Sequence, residues 1–307
     1  MSDAVTSPAP APAEAGAVET PFRRFCRDYA ESRIATGALV VLVAIILVAL
    51  LAPWISPTDP YDLASVSILD GKLKPGSQSM DGTTYWLGTD GAGRDLVSAI
   101  IYGLRISLGV GVMSGVVALC IGTAVGLAAA YFGGRTDTFI MRVVDIQLSF
   151  PAILIALILL AILGKGVDKI IIALVIAQWA YYARTVRASA LVERNKEYIE
   201  AAQCLALGHN RIVFRHLFPN CLPPLIVVGT IQTAHAISLE ATLSFLGVGL
   251  PISEPSLGLL ISNGFDFMLS GLYWISFFPG VALLVTIVSI NLVGDQLRDV
   301  LNPRLKK

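Results

Sequence analysis

The chain has 307 residues, 55% apolar and 14% charged, with a mean hydropathy of +0.73, a balance that excludes an ordinary soluble domain. Basic and acidic residues number 22 each, so no net charge points to nucleic acid as a partner. A membrane helix takes about 20 apolar residues to cross roughly 30 Å of hydrocarbon, so six would use about 120 and leave room for loops and tails.

The first 20 residues carry no Lys or Arg and are rich in Ala and Pro, unlike a signal or transit peptide. A disordered cytoplasmic tail is expected over 1–33. Charge-free apolar runs predict membrane helices over 34–58, 106–134, 146–164 and 267–294, because a backbone in lipid must pair its own polar groups. A fifth lies in 216–239, where Pro219, Pro223 and Pro224 set the start of the helix proper near Leu222. Between Lys169 and Arg184 only 14 residues are free of charge, enough for a span if both cations snorkel outward. With the N-terminus in the cytoplasm, six spans leave 16 Lys and Arg inside and 6 outside, as the positive-inside rule requires. The organisation is then a first helix with its outer loop over 34–104, a five-helix core over 105–300, and a cytoplasmic tail over 301–307.

Chemistry of the chain's own is hard to find. Gly164-Lys165-Gly166 lacks the rest of a phosphate-binding loop, Leu292-Val293-Gly294-Asp295 lacks the first glycine of an intramembrane aspartyl site, and Gly111 to Gly115 has the wrong spacing for a nucleophile elbow. Cys26, Cys120, Cys204 and Cys221 avoid the outer loops and read as small apolar fillers. His209 and His216 read as solvated side chains of a polar loop, with no metal site.

That loop, 189–222, is too polar for lipid. Helix formers run from Glu193 to Leu207, Gly208-His209-Asn210 is a stop signal, and a short second helix over 211–217 ends at Pro219. Its pattern of Glu200-Ala201-Ala202, a glycine, then Leu217 two residues before Pro219 resembles the signature loop of binding-protein-dependent ABC importer permeases. The family glycine falls at Ala206, whereas this chain places its glycine at Gly208. Further stretches resemble the dipeptide and oligopeptide permeases of the second-subunit type. These are Leu87-Gly88-Thr89-Asp90-Gly91-Ala92-Gly93-Arg94-Asp95, Leu243-Ser244-Phe245-Leu246-Gly247-Val248-Gly249, and Gly294-Asp295-Gln296-Leu297-Arg298-Asp299-Val300-Leu301-Asn302-Pro303-Arg304. Asn302 and Leu257 depart from the usual acidic residue and tryptophan.

The resemblance implies an all-α polytopic membrane protein with six transmembrane helices of the ABC importer type I permease fold, multi-pass in the bacterial inner membrane. It implies a homologous second permease, two cytoplasmic ATPase subunits that use ATP and Mg²⁺, and an extracytoplasmic solute-binding protein, with no cofactor in this chain. The 189–222 loop is then a coupling element that docks into an ATPase groove through Glu200, Ala201, Ala202, Ala206, Gly208 and Pro219. The solute class it implies is short peptides, although similar subunits carry glutathione, nickel complexes and opines. From the residues alone, the bland reading of the loop is an amphipathic helix on the membrane face. An intramembrane enzyme and an autonomous secondary transporter stand as alternatives for the whole chain.

Gln232, His235, Ser238 and Thr242 fall within about 120° of one helix face, a polar stripe that either lines a translocation path or bonds to neighbouring helices. Glu240 lies roughly 140° away, near the external end, as a gate, a partner contact or a carboxylate at the water boundary. Asp95 is placed to cap the helix into the second span. Arg94 beside it either supports the turn or contacts the binding protein.

Overall fold

The structure, a computed structural model, describes residues 20–62, 66, 68–79, 82–251 and 253–301. Most of the expected tails, 1–19 and 302–307 with Asn302, lie outside these residues. From residue 21 the disordered tail is replaced by a helix, α1 (Pro21–Ala30), followed by α2 (Arg33–Leu50). The reason is amphipathy: Phe25 and Tyr29 turn inward, where the Tyr29 hydroxyl donates to the Ala35 carbonyl at 3.3 Å. The expected span over 34–58 divides at Leu51 into α2 and the short α3 (Ala52–Ile55).

The loop that follows carries a small antiparallel ribbon, β1 (Ser77–Gln78) paired with β2 (Thr84–Tyr85). It leads into α4 (Leu96–Phe132), the 37-residue axis of the bundle, which begins ten residues before the expected span. Asp95 caps it as expected, accepting from the Ser98 amide at 2.8 Å and the Ser98 hydroxyl at 2.6 Å. Alongside runs α7 (Val167–Arg194). A Cβ at Gly122 would sit 2.4 Å from the Trp179 carbonyl oxygen, so only a glycine lets the two backbones meet there.

Between them, α5 (Gly134–Ser149) and α6 (Ala152–Leu163) meet at 88°, which corrects the single straight span expected over 146–164. Pro151 has no N–H to donate and holds Phe150 extended at ψ 141°, so the helix must break there. After α7 come α8 (Glu197–Cys204) and α9 (His209–Arg211). From α9 the chain stays helical through a π turn over Ile212–Leu217 into α10 (Phe218–Phe245), so neither the expected stop at Pro219 nor the start near Leu222 occurs. Pro219 falls in the first turn of α10, directly after the π turn, and the Asn220 side chain donates to the His216 carbonyl at 2.7 Å.

α10 runs antiparallel to α4, with Ser107 bonded to Glu240 and Gly111 against Ile237. A nine-residue helix absent from the sequence reading, α11 (Leu257–Phe265), closes one end of the bundle before α12 (Trp274–Leu301) returns. Among the described residues four segments (α2, α4, His209–Phe245 and α12) are long and apolar enough to cross a membrane, or five when the bent α5–α6 pair is counted as one span. α7 has the length, 28 residues or about 42 Å, but carries Arg184 and Arg187 within it.

Candidate functional site

The α8 end of the bundle holds the expected coupling residues. Ile199 and Ala202 are buried against Ile212, with Tyr131 and Leu207 around them. The Tyr198 hydroxyl donates to Glu193 at 2.7 Å and accepts from the Asn220 side chain at 3.1 Å, which ties α8 to α7 and α10. Burial and the bond to Glu193 push this phenol up to about 12. With one face so anchored, Glu200, Ala201 and Leu205 stand outward, Leu205 with 73% of its surface exposed. The expectation that Ala201 and Ala202 both admit a partner is corrected: Ala202 packs into its own chain, and Ala201 alone is on the open face.

The turn after α8 answers the misplaced glycine. The Ala206 amide donates to the Gln203 carbonyl at 2.9 Å and the Leu207 amide to the Ala202 carbonyl at 3.2 Å, the paired bonds of a Schellman cap. That cap needs a left-handed residue, and Ala206 supplies it at φ +53°. The stop therefore lies at Ala206, not Gly208. Gly208 has φ −60° and ψ 145°, open to any residue, and simply precedes α9.

Several contacts fix this end to the bundle. Arg194 donates to the Ala130 carbonyl at 2.7 Å, and the Tyr131 hydroxyl lies 2.5 Å from His209 Nδ1. Arg187 forks onto Asp137 at 2.5 and 2.6 Å, while Arg184 pairs with Asp145. His216 is not solvated as expected, since its Nε2 is buried without a bonded partner. Of the cysteines, Cys221 alone is a buried filler; Cys26, Cys120 and Cys204 are exposed.

Beside α9, α4 and α10 part to leave a groove of about 680 Å³ whose walls include Leu127, Phe214, Ile226 and Thr233. The hydroxyls of Thr230 and Thr233 bond back to the carbonyls of Val227 and Gly229, so the wall is mainly apolar. None of the expected path residues lines it. The groove face of α10 carries Leu222, Ile226, Gly229 and Thr233, a helical spacing that an argument from polar side chains passes over.

Residues 122–307 match the model of the binding-protein-dependent transport system inner membrane component, and residues 20–75 match the N-terminal TM domain of oligopeptide transport permease C. The chain belongs to the binding-protein-dependent permeases. A Brucella suis protein named as a peptide transport system permease is 43% identical over 268 residues, 87% of each chain. The di/tripeptide transport system permease of Pseudomonas aeruginosa is 37% identical over 94% of this chain and 93% of its own. A chain of the methionine ABC transporter in an inward facing conformation shares the fold, with a TM-score of 0.55 and 22% identity over 66% of this chain and 96% of that one. The permease is accordingly a multi-pass inner membrane protein of the ABC importer type I fold.

At the α11 end of the permease the expected site residues separate. Arg94 is 3% exposed and bonds through Nε to Asp90 at 2.7 Å, so it supports the turn and is withdrawn from contact with a binding protein. Glu240 is not at a water boundary: it is fully buried, accepting from the hydroxyls of Ser107 at 2.8 Å and Ser244 at 2.7 Å. The polar stripe is divided, with Gln232 buried, Ser238 half-buried, and His235 and Thr242 exposed. Ser238 and Thr242 bond to carbonyls of their own helix.

Proposed function

We propose that this permease forms half of the translocation path of an ATP-driven importer of short peptides, with both termini and α8 in the cytoplasm. α2, α4, the bent α5–α6 pair, α7, α10 and α12 are then the six crossings. The distribution of 16 basic residues inside and 6 outside supports this orientation. The peptide names of the relatives support the solute class. Its partners are a homologous permease, two cytoplasmic ATPases and an extracytoplasmic solute-binding protein, and ATP and Mg²⁺ are used by the ATPases alone. Neither similarity favours an intramembrane enzyme or a secondary transporter.

The observation that carries the reading is that α8, with its open face outward, packs through Ile199 and Ala202 on Ile212 of the unbroken rod that runs into α10. Glu200 offers a carboxylate to a basic group of an ATPase, Ala201 admits close approach, and Leu205 is an apolar knob for its groove. Ala206, Gly208 and Pro219 set the shape of the hook. When ATP draws the two ATPases together, α8 moves with them, and Ile199 and Ala202 pass the displacement through Ile212 into the helical rod of residues 209–245. That rod is one wall of the groove between α4 and α10, so the hook's motion opens or closes the groove against the second permease. The exposed His235 and Thr242 are assigned to the face that meets that second copy, since polar groups avoid lipid.

Glu200→Arg tests the hook in the transporter reconstituted with its ATPases and binding protein. Solute uptake should fall about tenfold or more while ATP hydrolysis persists and the variant stays in the membrane. Wild-type uptake in that variant would defeat the reading.

A further inference from the structure

α1 is built as an interfacial helix. At 100° per residue Arg23, Arg24 and Arg27 share one face within about 100° of arc, while Phe25 and Tyr29 lie on the opposite one. All three arginines are exposed and Tyr29 is buried. The helix is docked on the bundle: the Gln296 side chain donates to the Asp28 carbonyl at 3.4 Å, and Tyr29 bonds to Ala35 at the start of α2. Arg27 pairs with Asp28 at 3.7 Å and still keeps 55% of its side chain exposed, against 12% for Asp28, so the face stays basic through Arg23 and Arg24 with Arg27 beside them. Four residues beyond α1, Ile34 is 72% exposed and opens the lipid-facing surface of α2. α1 thus adjoins the start of the long apolar α2.

We infer that α1 is a seat for anionic phospholipid headgroups, whose phosphates the Arg23, Arg24 and Arg27 guanidiniums hold at the α8 end of the bundle. Guanidiniums bind phosphate oxygens through paired N–H donors, and each basic residue near an anionic surface adds to the attraction. Phe25 and Tyr29 fix the helix on the protein, so the arginines are presented without first ordering a free segment. This lipid seat does not depend on how α8 is coupled.

The test is native mass spectrometry of the full chain released from micelles holding equal amounts of phosphatidylglycerol and phosphatidylcholine with the same acyl chains. The wild type should retain phosphatidylglycerol preferentially, and R23Q/R24Q/R27Q should lose that preference by about 100-fold. R23K/R24K/R27K should keep most of it, since the charge remains, which separates lost recognition from lost folding. K72Q/K74Q, at the opposite end of the bundle, should leave it unchanged. Equal retention of the two lipids by the wild type, an equal loss in K72Q/K74Q, or a loss in the lysine variant as deep as in the glutamine variant would each overturn the seat.

Discussion

The two ends of the permease treat their carboxylates in opposite ways. At the α8 end Glu200 stands on an open face of a short helix; at the α11 end Glu240 is wholly buried and accepts from two serine hydroxyls. A carboxylate within the membrane is tolerated only where its oxygens are satisfied, and here the satisfying groups come from α4 and α10. Glu240 thus knots α4 to α10 where the two helices are in contact. Past Gly115 and Thr233 the same two helices part to form the groove. The α11 end is the fixed end of the α4–α10 pair, and at the α8 end the groove keeps the two helices apart.

Substitution at the shared axis should remove both ends at once. Gly122→Leu drives a side chain into the α7 backbone, where even a Cβ would lie 2.4 Å from a carbonyl oxygen, and should destabilise the chain by about 3 kcal/mol or more. Loss of the cooperative thermal transition in detergent would register it; a wild-type melting temperature would refute the tight α4–α7 seam. Glu240→Ala should damage the fixed end alone, by about 2 kcal/mol, because the Ser107 and Ser244 hydroxyls lose their acceptor in a dry site. Glu240→Gln keeps an acceptor oxygen and should lose less than about 1 kcal/mol. Equal melting temperatures for the alanine and glutamine variants would show that the carboxylate is not what holds the knot.

Much of this was legible in the sequence because it rests on local chemistry. Apolar runs gave α2, α4, α10 and α12, Asp95 announced its cap, and the motifs from Glu200 to Pro219 fall on α8 and the start of α10. The features that escaped depend on contacts between distant segments. α11 is too short to show as a span, and its Gly258 matters only because Ala241 of α10 lies against it. Arg94 and Glu240 have the residue types of a functional surface, yet neighbours from the turn and from α4 bury them. Proline was passed over once and over-read once: Pro151 breaks the run expected as one span over 146–164, and Pro219, expected as a stop, sits in the first turn of α10 after the π turn.

The smallest expected effects test the turn at the α8 end, where a family glycine is replaced by alanine. Ala206 takes φ +53°, a conformation that disfavours a side chain by about 1–2 kcal/mol. Ala206→Gly should therefore firm the cap by about 1 kcal/mol, seen as slower hydrogen exchange at the Ala206 and Leu207 amides. Ala206→Val, β-branched at a left-handed position, should quicken that exchange and weaken uptake before it affects the melting of the bundle. Gly208→Ala should do almost nothing, within about 0.5 kcal/mol, because its backbone is extended and an added Cβ would meet no atom within 4 Å. If Gly208→Ala disturbed the cap and Ala206→Gly did not, the chain would be turning at the displaced glycine after all. The open face of α8, with Glu200 upon it, would then point elsewhere.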